Sequence, residues 1–284
     1  MLAYLKRFLA LPTAALGLVA LVLLALAAIF APQLANQNPY DLATIDILSS
    51  RLPPGTASVD GYIHWLGTDD QGRDLLSAVL YGLRVSLTVA LVATSIALVI
   101  GVVAALFASY FGGKVDAILM RLVDLQLAFP SILTALVLVA LLGTGLDKVI
   151  IAITLSQWAY FARTLRSAAM VERTKEYIDA ARTLKFSSSR IMFRHLLPNS
   201  VAPLAVVIVV EIASAISLEA TLSFLGVGLP ITEPSLGLLI SNGYSYMLAQ
   251  QYWLSVYPGL VLLLLLLSVN LIGERMRQMN NPWG

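Results

Sequence analysis

The chain has no cysteine among its 284 residues, which excludes a disulfide framework and any cysteine-held metal or redox centre. Charge is scarce as well. Only 12% of residues are Asp, Glu, Lys or Arg, 59% are hydrophobic, and the net charge is +2. That balance gives no overall field to attract nucleic acid and lies outside the usage of soluble globular domains. Two histidines, no HExxH motif and no serine in a G-x-S-x-G setting leave a membrane hydrolase without a constellation. The phosphate loop G-x-x-x-x-G-K-[ST] is missing too, because Gly113-Lys114 lacks both the earlier glycine and the following hydroxyl residue. No catalytic residue, metal ligand or bound cofactor is therefore assigned to this chain.

What is present is apolar length. Six stretches, 13–32, 86–108, 122–142, 149–168, 201–222 and 254–273, approach the roughly 20 residues that a helix needs to cross the hydrocarbon core. The fold class expected is an all-α integral membrane protein with six transmembrane helices. The fourth stretch is the shortest, since Lys148 and Arg163 bound it and must snorkel to the interfaces. Lys6 and Arg7 ahead of the first stretch also fit a cleaved signal peptide, but its run of about 18 apolar residues exceeds the roughly 7–15 of such a core. With both termini cytoplasmic, segments 1–12, 109–121, 163–200 and 274–284 lie inside and carry fourteen of the eighteen Lys and Arg, as the positive-inside rule requires. Residues 1–85 then form an N-terminal span with an extracytoplasmic loop. Residues 86–284 form the core transmembrane domain.

Between Arg163 and Arg194 lie eleven of the 34 charged side chains. Within this segment Tyr177, Ala180, Ala181 and Leu184 are spaced i, i+3, i+4, i+7, one face of a helix beginning at Glu176. Asp179, Arg182 and Thr183 lie off that face. Lys185-Phe186-Ser187-Ser188-Ser189 reads as a turn, with a serine to cap a second helix starting near Arg190, and Pro198 marks its end. Two readings are open: an amphipathic segment lying on anionic lipid, or a docking element for another protein. Interruption of the basic run by three acids, and the small alanine face, favour a protein partner.

Asp179-Ala180-Ala181, followed after thirteen residues by His195-Leu196-Leu197-Pro198, resembles the "EAA" loop in membrane subunits of bacterial ATP-binding-cassette importers. With HWLGTDDQGRDLLS (64–77) and EATLSFLGVG (219–228), the chain resembles the dipeptide/oligopeptide/nickel permease family, in its second-permease branch. The resemblance implies a type I importer permease of the bacterial inner membrane, passing short peptides or a related solute such as a nickel chelate or glutathione. It further implies a homologous second permease, an extracytoplasmic substrate-binding protein and two ATPase subunits holding the ATP and Mg. The ATPase-coupling residues it assigns are Glu176, Tyr177, Asp179, Ala180, Ala181, Arg182, Leu184, Lys185, Arg190, Arg194, His195 and Pro198. The family usually has glycine where this chain has Lys185, so either the first helix continues through Lys185 or the turn is mildly strained.

Glu211 and Glu219, eight residues apart in the fifth stretch, are candidates for the translocation path, since an acid in a span is costly and normally faces protein or water. Each also has a structural reading, a carboxylate hydrogen-bonded to a neighbouring helix. Arg121 and Asp124 can pair at i, i+3, and Pro130 is expected to kink the third stretch. Asp69, Asp70, Arg73 and Asp74 suggest metal ligands but sit where a helix leading toward Tyr81 would begin, and His64 nearby does not change that reading. Residues 223–253 read as an outer segment with an aromatic belt of Tyr244, Tyr246, Tyr252 and Trp253. A proton-coupled secondary transporter would need an internal repeat, which the sequence lacks. A membrane scaffold would need only the charged loop.

Overall fold

The computed structural model describes residues 8, 10–41, 45–58 and 61–280. Lys6 and Arg7 lie outside them. Nine helices of eight residues or more organise this part of the chain: α1 (Pro12–Ile29), α2 (Leu75–Phe111), α3 (Gly113–Ala128), α4 (Ser131–Leu142), α5 (Leu146–Glu172), α6 (Glu176–Thr183), α7 (Leu204–Phe224), α8 (Leu236–Tyr244) and α9 (Trp253–Asn280). A two-residue hairpin, β1 (Thr56–Ala57) with β2 (Ile63–His64) antiparallel, qualifies the all-α expectation.

Each apolar stretch falls on a helix or a helix pair. By length and apolarity α1, α2, α7 and α9 can cross a membrane, and α3 with α4 makes a fifth span if the pair counts as one. The expected third span is not a kinked helix but two helices meeting at 93°. Pro130 gives the cause. It lacks an N–H and disfavours helical geometry in the residue before it, and Phe129 is accordingly extended at φ −99°, ψ 141°. Helix α5 falls outside the spanning set because its second half carries Arg163, Arg166 and Glu172.

Helix α2 is the frame of the molecule. Its 37 residues extend about 55 Å, well beyond a hydrocarbon core of about 30 Å. It starts at Leu75, at the acidic cluster where a helix was expected to begin and ahead of the apolar stretch from 86, because Asp74 caps it by accepting from the Ser77 N–H at 2.8 Å and the Ser77 hydroxyl at 2.6 Å. It packs most extensively along α5. Gly101 permits that approach, since a Cβ there would lie 2.6 Å from the Trp158 carbonyl oxygen. Leu83, Val89, Ile153, Ile216, Leu222 and Leu265 belong to the main core, joining α2, α5, α7 and α9.

The two ends of α2 are finished differently. At its N-terminal end the acidic cluster is structural: Arg73 Nε donates to Asp69 at 2.6 Å, and buried His64 Nδ1 lies 3.0 Å from Asp74. His64 thus joins the cluster it lies near in sequence, in keeping with the structural reading. Residues 223–253 are not only a belt, because α8 lies within them with Leu236, Leu238 and Leu239 buried. Gly237 allows this contact, as a Cβ there would fall 2.1 Å from the Ala220 carbonyl oxygen of α7. At the opposite end the charged segment closes the bundle. Asp124 pairs there with Arg163 of α5, not with Arg121 of its own helix, and Asp116 pairs with Arg166 at 2.5 Å.

Candidate functional site

Helix α6 is short and local. Its C-terminus is closed by two backbone bonds, Lys185 N–H to Arg182 O at 2.9 Å and Phe186 N–H to Ala181 O at 3.1 Å, the pairing of a Schellman motif. Lys185 occupies the left-handed position at φ 53°, so of the two alternatives the helix stops and the turn is strained. A non-glycine residue there costs about 1 kcal/mol. The second helix begins as expected, with Ser187 accepting from the Arg190 N–H at 3.4 Å. It runs through a π-helical stretch, Ile191–Leu196, into Leu197–Ser200 and so ends next to the boundary expected at Pro198-Asn199.

The four-residue face splits in two. Ala181 turns inward with Ile178 and Ile191, packed by Tyr110 and Phe186. Tyr177, Ala180 and Leu184 face outward, and Leu184 is 67% exposed. The inward stripe is Ile178–Ala181, spaced i, i+3, which the sequence also contained. The outward surface keeps the small residue and the two larger apolar ones together, bordered by Asp179 and Arg182, which pair at 3.2 Å.

Several contacts hold this loop to the bundle. Tyr110 at the end of α2 donates to Ser188 at 3.1 Å, and Arg182 lies over the Tyr110 ring at 5.9 Å. Tyr177 donates to Glu172 at 2.6 Å, and Lys175 reaches the same carboxylate at 2.8 Å. The Lys175 ammonium, then the Tyr177 hydroxyl, hold the Glu172 carboxyl below its ordinary range. Burial, then Glu172, pushes the Tyr177 phenol up to about 12. Phe186 has Arg190 over its ring at 3.9 Å and the stacked imidazole of His195 at 5.9 Å. Glu176, Arg190, Arg194 and Pro198 are exposed and His195 is half-buried. All twelve residues singled out in the sequence thus belong to one compact element at one end of the bundle. Tyr110, Glu172, Ile178 and Ile191 complete it; the first of these lies too far away in sequence to have been found by local periodicity.

Glu211 and Glu219 are both on α7 but in unlike surroundings. Glu219 is fully buried and accepts from Ser86 of α2 at 2.6 Å and from Ser223 at 2.9 Å, with Ser235 as a further donor. Ser235 also caps α8 through the Leu238 N–H, so one carboxylate joins three helices. Glu211 is 6% exposed, and its Oε2 has no hydrogen-bond partner. No group of three His, Cys, Asp or Glu that could hold a metal ion is assembled among the described residues.

The chain was compared with known proteins. Residues 97–283 match the family described as binding-protein-dependent transport system inner membrane component, and residues 3–54 match the N-terminal transmembrane domain of oligopeptide transport permease C. A putative peptide transport system permease protein of Brucella suis is 38% identical over 267 residues, covering 94% of this chain and 86% of that protein. A probable D,D-dipeptide transport system permease protein of Escherichia coli is 36% identical over 271 residues, covering 95% and 88%. An oligopeptide transport system permease protein of Bacillus subtilis is 34% identical over 276 residues, covering 97% and 87%. Among solved structures, a chain of the MetNI methionine ABC transporter in an inward-facing conformation superposes with a TM-score of 0.55 at 18% identity, covering 72% of this chain and 97% of that one.

Proposed function

This chain belongs to the family of binding-protein-dependent transport system inner membrane components and is a multi-pass permease subunit of a bacterial inner membrane. From that premise we propose that it forms half of the translocation path of an ATP-driven importer for short peptides, with six membrane passes and both termini cytoplasmic. The other half is a homologous second permease. An extracytoplasmic binding protein delivers substrate, and two separate ATPase subunits carry the ATP and Mg.

The observation that carries this reading is the loop 176–198. Its inner face, Ile178, Ala181 and Ile191, is sealed to the permease, while Tyr177, Ala180 and Leu184 stay uncovered inside a rim of charge. A lipid-lying segment would turn its larger apolar side chains together toward the bilayer. Here Ile178 and Ile191 pack with Ala181 against Phe186 and Tyr110 of α2, while Tyr177, Leu184 and, on the second helix, Phe193 remain exposed, with the small Ala180 between the first two. That is the shape needed to seat in a groove of another protein. ATP binding would draw the ATPases together and move the loop as a rigid piece, because its fixings to Tyr110 and Glu172 run directly into α2 and α5. The peptide class is supported by the peptide permeases among the relatives.

The test is affinity purification of the tagged chain from its native membrane, beside the double variant Asp179→Lys, Arg182→Glu. Wild type is expected to bring down a phosphate-loop ATPase, and the variant to insert normally without it. Recovery of wild type with no ATPase under mild detergent would overturn the reading.

A further inference from the structure

Glu211 is a buried carboxylate whose Oε2 is fully enclosed without a hydrogen-bond partner. Donors are close by and engaged elsewhere: Gln157 Nε2 of α5 donates to the Glu211 backbone carbonyl at 2.8 Å, not to its carboxylate, and Gln157 Oε1 accepts from Thr94 of α2 at 3.4 Å. An acid in a membrane span is costly unless it is paired or wet. The same helix shows that the fold can satisfy one, because Glu219, two turns on, has serine donors from α2, from its own helix and from the α8 cap. The bare oxygen at Glu211 is therefore a property of that position, not of the helix.

The position borders a polar stripe. On a helical wheel, residue 211 lies beside 207 and 214, and the face that continues through Ser214, Ser217 and Thr221 is incompletely covered. Further along α7 from Glu211, Ser217 and Thr221 line a cleft of about 210 Å³ with Ala220 and Phe224, with Gly237 and Ile240 of α8, and with Leu262 and Leu266 of α9. Hydroxyls on an uncovered face of a spanning helix belong against protein or water rather than lipid. No Lys, Arg or His forms an ion pair with Glu211 among the described residues. A divalent cation would want several hard oxygen ligands, which the site does not assemble. One carboxylate with a buried, unpartnered oxygen, next to Ser214 on the helix, suits a singly charged ammonium group; the Thr221 hydroxyl itself donates to the Ser217 carbonyl at 2.7 Å.

We propose that Glu211 binds the ammonium terminus of the transported peptide as it passes along the Ser214–Ser217–Thr221 face of α7. The proposal rests on the short-peptide reading given above. It is tested with the complete importer in proteoliposomes, following ATP-dependent uptake of trialanine by wild type, Glu211→Gln and Glu211→Asp. Loss of a charge-assisted hydrogen bond predicts that the Gln variant assembles, seen as co-purification of the ATPase, but takes up trialanine about tenfold more slowly at low concentration, with Asp restoring part of the rate. The wild-type advantage over Gln is also expected to shrink as pH rises past the amine's ordinary pKa of about 8, whatever the binding protein itself does with pH. A Gln variant as fast as wild type, or a ratio that stays constant across that range, overturns the proposal and leaves the peptide reading intact. Failure of wild type to import trialanine, with the ATPase active, overturns the peptide reading and this inference with it.

Discussion

Helix α7 carries two carboxylates of the same chemistry and treats them in opposite ways. Glu219 is fully enclosed and spends both oxygens on serines that knit α2, α7 and α8 together. Glu211 is nearly as well enclosed, yet keeps an oxygen unpaired beside an uncovered stripe. The loop 176–198 repeats the division, with an inward face that is packed and an outward one left open. Within one short element the chain separates what holds the subunit together from what is held in reserve for something else. Burial alone does not distinguish the two; satisfaction of the polar group does.

The largest effect that would break this comparison is at Glu219. Glu219→Leu removes an acceptor shared by several buried hydroxyls and is expected to cost about 3 kcal/mol, seen as a lowered midpoint of thermal unfolding in detergent. Glu211→Leu, which removes an unsatisfied buried carboxyl, is expected to leave that midpoint unchanged or raise it, while slowing uptake at least as much as the Gln variant. A large loss of stability at Glu211 would erase the distinction. Next is the loop: Ile178→Ala is expected to destabilise the packed face by about 2 kcal/mol, read as faster amide exchange across 176–191. Leu184→Ala, on the open face, is expected to change stability by less than about 0.5 kcal/mol and to weaken ATPase co-purification. The smallest effect sharpens the same contrast. Lys185→Gly relieves a left-handed φ and is expected to slow exchange in the turn by the equivalent of about 1 kcal/mol, without loss of ATPase binding.

Much of this was legible in the sequence because it depends on local rules. Apolar runs set the helices, Asp74 set the start of α2, and Pro130 set the break between α3 and α4. The loop's helices followed from spacing and from the serine at 187. What failed were inferences about which side of a helix meets what. Tyr177, Ala180, Ala181 and Leu184 share one face by count, but Ala181 turns inward because Ile178, one helical turn before it, supplies the stronger apolar anchor. Asp124 left Arg121 for Arg163 because α5 lies alongside α3, a neighbour that residue spacing within one helix cannot reveal. Helix α8 was hidden for the same reason, since its buried leucines are too few to look like a span and become core only against α7 and α9.

By itself, then, the sequence determined that this is a helical membrane protein, that Asp74 and Ser187 cap helices and Pro130 interrupts one, and that its charge gathers in one loop, because those properties follow from hydropathy, proline geometry and capping over a few consecutive residues. Only the tertiary structure decided which loop face is free and which of two acids is satisfied. Those outcomes depend on Ser86, Tyr110 and Gln157, side chains from other helices that packing alone brings within hydrogen-bonding reach.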